Sequence, residues 1–236
     1  MLPAQPNQSL IDGLACLHAL AVSPTAVGSR ELARMLDLEP TRTNRLLKTL
    51  AHLGLAEQDE KRKYRVGPAI HVLGVESLHT SGFIDRAVEV LKGLDDKRLT
   101  VAMGVLWQDL ICYLYHQYPS NTDGGTIRHR PVPASTSGLG LVLMAQKSDD
   151  ELRAQYAATR SGVHLEGRDG LLERVARVRR QGYALFDAGD GKRTVAIALE
   201  GGHRVAVGVS GSFPDDDVPG LVGELRSAAA QLAQAS

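Results

Sequence analysis

The residues best suited to chemistry are basic and amide side chains clustered between residues 40 and 66. This stretch holds seven basic and three acidic residues, a net charge of +4, whereas the whole chain balances 27 Lys and Arg against 27 Asp and Glu. Arg, Lys and Asn donate hydrogen bonds that match base edges in the DNA major groove, and neighbouring cations are attracted to phosphates. The pattern therefore favours a DNA-binding surface, with a solvated charged helix as the structural alternative.

A helix-turn-helix followed by a β-hairpin wing is predicted to position these side chains. Apolar residues at helical spacing predict helices over residues 9–21, 29–36 and 40–53, with Ser9 and Ser29 as N-caps. Gly54 suits the left-handed residue after a helix end, and two short strands around residues 59–63 would form the wing. The residues expected to be buried on the first two helices are Leu10, Leu14, Leu17, Ala21, Leu32, Met35 and Leu36.

The third helix separates an apolar face from a polar one. Thr43, Leu46, Leu50 and Leu53 fall on one side of its helical wheel. The residues roughly opposite, which we expect to read bases, are Thr41, Asn44, Arg45 and Lys48. Ser29, Arg30 and Arg42 are expected to contact phosphates. Lys61 and Arg62, on the wing, would reach the DNA backbone or the minor groove.

The second half of the chain has a different pattern, in which short strands alternate with helices. The strands are predicted over residues 101–107, 110–116, 183–186, 194–199 and 204–209, and the helices over residues 138–146, 171–181 and 218–232. Two places are open to Trp107 and Tyr113, the wall of a pocket and the sheet core, and the sheet core is favoured. Strands joined by hairpins and interspersed with helices indicate an α+β domain around a largely antiparallel sheet.

Composition excludes several classes of protein. No apolar stretch approaches the ~20 residues that cross a bilayer, and the first residues lack the pattern of a signal peptide. Cys16 and Cys112 cannot form a disulfide framework, so we expect a cytoplasmic protein. A net charge of zero argues against a protein that coats nucleic acid indiscriminately.

Motifs for catalysis are incomplete, so no catalytic residue, metal or cofactor is predicted. Residues 208–212 nearly match a G-x-S-x-G nucleophile elbow, but the fifth residue is serine; residues 189–193 lack the spacing of a phosphate loop. His116, His129, His164 and His203 show no paired spacing of a helical zinc site. Two alternatives remain open: an enzyme whose N-terminal helices bind a partner, and a winged-helix protein that docks another protein.

Eight segments, taken in order, resemble the IclR family of transcriptional regulators. They are residues 8–12, 30–33, 44–50, 53–55, 63–67, 133–145, 180–184 and 207–211. The resemblance implies a winged helix-turn-helix over residues 1–67, a linker helix and hinge over 68–82, and a GAF-like effector-binding domain over 83–236. It also implies dimers or tetramers on palindromic double-stranded operators, and DNA binding that is modulated by a small metabolite, expected to be an organic acid.

The resemblance also assigns an effector pocket. Its residues map to Gly138, Leu139, Asp187, Thr194, Gly208 and Ser210, where Thr194 replaces a usual cysteine and Gly208 a frequent serine. Ser137 is added because it, like Thr194 and Ser210, could hydrogen-bond a carboxylate at a helix N-terminus. Alternatively, Ser137 only caps its helix, and Gly138 and Gly208 only permit close packing.

Overall fold

The computed structural model describes residues 5–94, 98–119, 131–157, 163–187, 189, 191–200 and 204–233. The chain divides into two compact units, Met1–Thr80 and Ser81–Ser236. No helix of the described residues is long and apolar enough to cross a membrane.

The first unit is a helical domain with a small sheet. Its elements are α1 (Gln8–Val22), β1 (Val27–Gly28), α2 (Ser29–Leu36), α3 (Pro40–His52), β2 (Ala56–Gln58), β3 (Lys63–Val66) and α4 (Ala69–Ser81). The three strands are antiparallel in the order β1-β3-β2. The predicted helix-turn-helix and wing are confirmed, and Gly54 takes the expected left-handed conformation at φ +71°.

The predicted serine caps are wrong. Helix α1 begins one residue before Ser9, and Asn7 is its cap because the side-chain oxygen accepts a hydrogen bond from Leu10 N at 3.1 Å. Helix α2 begins at Ser29 itself, after Gly28, which has no side chain to offer. Asn7, two residues before Ser9, and Gly28, one residue before Ser29, have the extended backbone that a helix cap requires.

Part of the predicted apolar stripe faces away from this domain's core. Leu10 and Leu14 are 62% and 52% exposed, and Ala21 is exposed as well, although Leu17 is buried as predicted. The buried face of α1 runs instead through Gly13, Cys16, Leu17 and Leu20. Helical periodicity therefore identified the helix but not its buried face. The helix has two adjacent apolar faces, and only one of them packs against α2 and α3.

The same kind of error affects the next two helices. Met35 is 57% exposed on α2, and Leu53, at 58%, lies beyond the last residue of α3. The buried residues of α3 are Thr43, Leu47 and Leu50, which lie at spacings of four and three along one face. Leu47 therefore takes the core position that Leu46 was expected to share.

The second unit is built around a six-stranded antiparallel sheet in the order β6-β5-β4-β9-β8-β7. Its strands are β4 (Thr100–Trp107), β5 (Leu110–Gln117), β6 (Val132–Pro133), β7 (Ala184–Asp187), β8 (Arg193–Ala198) and β9 (Val205–Gly211). Its helices are α5 (Phe83–Lys92), α6 (Gly138–Met144), α7 (Asp149–Ala157), α8 (Leu171–Gln181) and α9 (Val218–Ala233).

Helices cover both faces of this sheet. One core contains Val207 and Met103 and is closed by residues of α5 and α9; the other contains Ala196 and Ala206 and is closed by α6 and α8. The expected α+β class with an antiparallel sheet is confirmed. The helices α5 and α7 and the two-residue strands β1 and β6 were not predicted from the sequence. Two residues are too few to show the alternation by which a strand is recognised.

Candidate functional site

A basic groove lies between α2, α3 and the wing of the first unit. It encloses about 430 Å³ and is lined by Ser29, Arg30, Pro40, Thr41, Asn44, Lys48, Gln58 and Arg62. The structure thus brings together six of the nine side chains that we assigned to DNA contacts. Of the other three, Arg45 and Lys61 are exposed outside this lining, and Arg42 is half-buried.

Several donors on α3 are uncommitted. Within the described part of the chain, the side chains of Asn44, Arg45 and Lys48 make no hydrogen bond or ion pair. Arg65 on β3 differs, because its guanidinium donates to Glu57 Oε2 from both Nε and Nη2, at 3.1 and 2.9 Å. The recognition face of α3 therefore presents donors that an external acceptor can use.

Glu39 fixes the N-terminus of α3. Its Oε1 accepts a hydrogen bond from Thr41 N at 2.8 Å, and its Oε2 accepts one from Arg42 N at 2.6 Å. These two N–H groups stabilise the charged carboxylate and lower the pKa of Glu39 below its usual value, the Thr41 bond more than the Arg42 bond. The cap holds the first turn of α3, where Thr41 lies.

Arg42 connects α3 to α1. Its Nη2 lies 2.8 Å from Oδ2 of the buried Asp12, and the other carboxylate oxygen of Asp12 accepts from Gln8 Nε2 at 2.7 Å. Arg42 Nε is buried and has no hydrogen-bond partner. The structure gives Arg42 a positioning role that the sequence did not indicate, and its phosphate contact stays a prediction.

Asp59 organises the tip of the wing. Its side chain accepts from Lys63 N at 2.8 Å and its carbonyl accepts from Arg62 N at 2.9 Å. Arg62 adopts φ +59°, a left-handed conformation more common for glycine, and its carbonyl accepts from Gln58 Nε2 at 3.3 Å. Gln58 lines the groove but was not predicted to do so. The available signal was its position two residues before the turn of the wing.

A cavity of about 240 Å³ lies in the second unit, above the β4-β9 pair. Six of the seven predicted effector residues line it: Ser137, Gly138, Leu139, Thr194, Gly208 and Ser210. The remaining lining residues are Thr100, Ala102, Tyr113, His116, Tyr118, Thr136, Phe186, Lys192 and Val209. Ala102 and Gly208 are paired across β4 and β9, and their small size leaves space over the middle of the sheet.

Hydroxyl groups dominate the polar lining of this cavity. Thr194 and Ser210 face each other on β8 and β9, with their oxygens 3.1 Å apart. One hydroxyl hydrogen serves this bond, so the other hydroxyl keeps its hydrogen for a ligand whichever way the bond points. Ser137 also caps α6, because its oxygen accepts from Gly140 N at 3.5 Å.

The two predicted glycines permit close packing. A Cβ atom on Gly208 would lie 2.8 Å from Val195 O and 2.9 Å from Leu139 Cδ1; one on Gly138 would lie 3.0 Å from Thr194 Cγ2. Contacts this short do not occur without movement of the neighbours, so the serine frequent at the position of Gly208 would require the sheet or Leu139 to shift. Gly138 and Gly208 therefore both line the cavity and permit close packing around it.

Asp187 is not among the residues that line the cavity. Its carboxylate accepts a hydrogen bond from Gly189 N at 2.7 Å, within the turn after β7. His116, Tyr118 and Lys192 also line the cavity and were not predicted. Tyr113 fits both of its predicted places, because it lines the cavity and packs against the core that contains Ala196, whereas Trp107 is 44% exposed. The positive side chain of Lys192, together with the lack of Asp and Glu among the described residues that line the cavity, suits an anionic ligand.

Metal and nucleophile chemistry find no support in the described residues. No group of three or more His, Cys, Asp or Glu side chains in this part of the chain could hold a metal ion. His129 and His203 lie outside the described residues, as does Asp190 of the 189–193 segment. The Ser210 hydroxyl is paired with Thr194 rather than with a general base.

Comparison with known proteins identifies relatives of the chain. Residues 9–60 match the family model of the IclR helix-turn-helix domain. The chain is 28% identical over 221 residues to the HTH-type transcriptional regulator BhcR of Paracoccus denitrificans, covering 88% of this chain and 77% of that one. It is 28% identical over 229 residues to the transcriptional repressor IclR of Escherichia coli, covering 86% and 80%. Both relatives are transcriptional regulators by name.

Solved structures share the fold. An IclR family transcriptional regulator from Brucella abortus aligns with a TM-score of 0.74 at 21% identity, over 98% of this chain and 94% of that one. An IclR homolog from Microbacterium hydrocarbonoxydans, complexed with 4-hydroxybenzoate, aligns with a TM-score of 0.63 at 17% identity, over 96% and 98%.

Proposed function

Since this chain belongs to the IclR family of transcriptional regulators, we propose that it binds a palindromic operator as a homodimer or tetramer. We further propose that a small organic acid, held in the cavity of the second unit, changes its affinity for that operator. The observation that carries the proposal is the basic groove, where six predicted DNA contacts converge beside uncommitted donors in a segment of net charge +4. A DNA-binding regulator is expected to work in the cytoplasm, without catalytic activity of its own.

The DNA contacts divide into two kinds. We propose that four residues of α3 read base edges, because their donors match acceptors in the major groove. Three of them, Thr41, Arg45 and Lys48, are exposed, and the fourth, Asn44, is half-buried. Phosphates are proposed to bind at the start of α2 and along the wing. The residues involved are Ser29, Arg30, Arg42, Lys61 and Arg62. Phosphate contacts position the protein on the duplex, and base contacts give it its sequence preference.

Alanine substitution of Asn44 and Arg45 tests the assignment. Each contact to a base edge contributes ~1–3 kcal/mol of discrimination, so each variant should lose about 5- to 150-fold in affinity for the operator and little for scrambled DNA. Fluorescence anisotropy with DNA from the chain's own promoter measures both affinities. Arg34→Ala serves as a control because Arg34 is exposed on α2 outside the groove. An Arg45→Ala protein that keeps its sequence preference would remove Arg45 from base readout.

The wing contacts have a different signature. Removing a cation that neutralises a phosphate should weaken binding to operator and scrambled DNA alike, and should reduce the slope of log affinity against log salt by about 0.9 per contact. We expect this result for Lys61→Ala and Arg62→Ala. An unchanged slope in both variants would exclude the wing from the DNA interface.

The effector site is proposed to comprise the residues that the cavity brings together. Hydroxyl groups and Lys192 supply donors and positive charge, and none of the described residues in the wall carries a carboxylate, which suits a small organic acid. The IclR homolog solved with 4-hydroxybenzoate is a relative that holds such an acid. An effector acts by binding one arrangement of the protein more tightly than another, and we propose that α4 transmits the difference to the DNA-reading helices.

Calorimetric titration with a panel of organic acids tests the site. Ser210→Ala removes one of the two paired hydroxyls and should weaken binding of the responsive acid by about 5-fold or more. The carboxylate of Asp187 already accepts a hydrogen bond from Gly189 N. The Asp187→Ala variant decides whether this carboxylate also contributes to binding of the acid. Unchanged affinity in both variants would overturn the assignment of this cavity.

A second copy of the chain is proposed to cover the apolar surface of α1 and α4. On α4, Val72, Leu73 and Val75 are 54%, 54% and 66% exposed, and on α1 Leu10 and Leu14 are exposed as well. Soluble monomers rarely leave a helix this apolar facing water. A twofold symmetric pair would bury it, and two DNA-reading heads then match two operator half-sites.

A further inference from the structure

A β-bulge in β5 gives the cavity an aromatic wall. Met103 of β4 pairs with Tyr115 and Gly104 pairs with Tyr113, so Leu114 has no partner on β4. The extra residue reverses the alternation of side chains along β5. Tyr115 is buried in the core under α5 and α9, whereas Tyr113, two residues earlier, lines the cavity on the opposite face.

Three rings share this wall because of the bulge. After Leu114 the alternation resumes, and His116 and Tyr118 lie on the same side as Tyr113. The centroids of Tyr113 and His116 are 5.4 Å apart with an interplanar angle of 86°, and those of His116 and Tyr118 are 4.6 Å apart at 62°. Edge-to-face contacts at these distances are favourable for aromatic rings. A planar ring in the cavity would extend the same cluster.

The donors lie at the other side of the cavity. Thr194 and Lys192 belong to β8 and the segment leading into it, and β8 is separated from β5 by β4 and β9. Three strand spacings amount to about 14 Å between the two backbones. The floor between them is formed by small residues, Ala102 and Gly208. The cavity thus has a cluster of three rings at one end. At the other end it has a positive charge and hydroxyl donors, with Phe186 of β7 beside them.

We propose that the effector is an aromatic carboxylate, with its ring against Tyr113, His116 and Tyr118 and its carboxylate toward Lys192, Thr194 and Ser210. This inference rests on the proposed effector function and names the class of ligand. The cavity volume of about 240 Å³ is the share of about eight water molecules, enough for a molecule of the size of a hydroxybenzoate. Lys192 and Tyr113 are the specificity-determining residues: the first selects the charge and the second the ring.

Titration calorimetry on the full chain tests this inference with three kinds of probe. Benzoate and its monohydroxy derivatives carry both features, cyclohexanecarboxylate keeps the charge without the aromatic ring, and benzamide keeps the ring without the charge. At least one of the ring carboxylates should bind 10-fold or more tightly than cyclohexanecarboxylate and benzamide.

Two variants assign the preferences to residues. Tyr113→Leu should reduce the preference for the ring carboxylate over cyclohexanecarboxylate by about 2- to 10-fold. Lys192→Met should reduce the preference for the ring carboxylate over benzamide. It should leave the preference for the ring carboxylate over cyclohexanecarboxylate intact. Lys92→Met is the matched control, because Lys92 is exposed on α5 and does not line the cavity.

The outcomes separate this inference from the proposed function. If cyclohexanecarboxylate binds as tightly as every ring carboxylate, the aromatic assignment is wrong while an organic-acid effector stands. If no ring carboxylate binds but aliphatic acids change operator affinity, the aromatic assignment is again wrong and the regulator remains ligand-responsive. If no organic acid binds or changes operator affinity, both proposals fail.

Discussion

At the scale of single residues, the structure separates cations that the sequence treats alike. Arg42 and Arg45 lie three positions apart on α3 and contribute equally to the local charge. Arg42 is paired with the buried Asp12 at 2.8 Å, whereas the Arg45 side chain has no partner among the described residues. Arg65 is likewise engaged by Glu57. A count of basic residues therefore overstates the number of cations that are free to meet DNA.

The contact between Arg42 and Asp12 should stabilise the first unit. Asp12→Ala removes a carboxylate that is only 7% exposed and leaves Arg42 without its partner. We expect the local free energy of opening to fall by about 1–2 kcal/mol, since hydrogen bonds to charged groups are stronger than neutral ones and Arg42 is partly solvated. Hydrogen exchange of the amides of α1 and α3 measures this quantity.

Exchange is preferable to fluorescence here because the single tryptophan, Trp107, lies in the other unit. Glu57→Ala is the control, since the side chains of Glu57 and Arg65 are 43% and 67% exposed and such a pair contributes about 0.5 kcal/mol. Equal losses in the two variants would show that burial of Asp12 does not strengthen its ion pair.

At the scale of elements, side-chain caps and close backbone contacts fix the parts that carry function. Glu39 holds the start of α3 through two backbone N–H groups, and Asp59 holds the tip of the wing. In the second unit, Gly140 packs so closely on the preceding turn that a Cβ atom would lie 2.0 Å from Ala134 O. Local and medium-range backbone contacts therefore orient the recognition helix and the entrance to the cavity.

The cap of α3 should depend on pH. Because the folded pKa of Glu39 is lowered, its stabilisation is fully present above the unfolded pKa of about 4.3 and is lost as the pH falls through the folded pKa. The difference in exchange protection of α3 between the wild type and Glu39→Gln should therefore shrink below about pH 4. Helix α8, whose N-cap Gly170 offers no side chain, is the internal control and should not respond. A difference that stays constant with pH would contradict the role of the carboxylate.

At the scale of the whole molecule, the first unit leaves most of the apolar helix α4 exposed, although Ile70 packs against its core. From His71 to Thr80 every residue of α4 except Leu78 is exposed, and the apolar residues lie on more than one face. The proposed second copy of the chain would cover this surface and couple two DNA-reading heads. Binding to two half-sites would then raise the affinity for a palindrome without any new contact to DNA.

A charge placed on this helix should break the assembly. Val75→Glu puts a carboxylate at a position that is 66% exposed in the single chain, where burial against a partner would be unfavourable. We expect a shift to monomer in sedimentation velocity and a loss of about 100-fold or more in affinity for a full operator, with half-site binding unchanged. Thr80→Glu adds the same charge at a polar position of α4 and should leave the assembly intact. A Val75→Glu protein that remains dimeric would place the interface elsewhere.

The sequence by itself determined the first unit and much of the cavity wall. Periodicity located α1, α2 and α3, and the charge between residues 40 and 66 indicated the DNA-reading face, because both signals come from neighbours along the chain. The family resemblance supplied five of the six predicted residues that line the cavity, and the sixth, Ser137, was added for its hydroxyl group. These features are short-range or carried by motifs, so they can be recognised before any contact between distant segments is known.

Tertiary structure decided which face of α1 is buried, which cations are free, and which side of the sheet Tyr113 occupies. Leu10 and Leu17 are equally apolar, and only packing against α2 and α3 distinguishes them. Simple alternation puts Tyr113 and Tyr115 on one face, and the bulge at Leu114, set by pairing with β4, separates them. These outcomes depend on partners far away in the chain, and a local pattern holds no information about such partners.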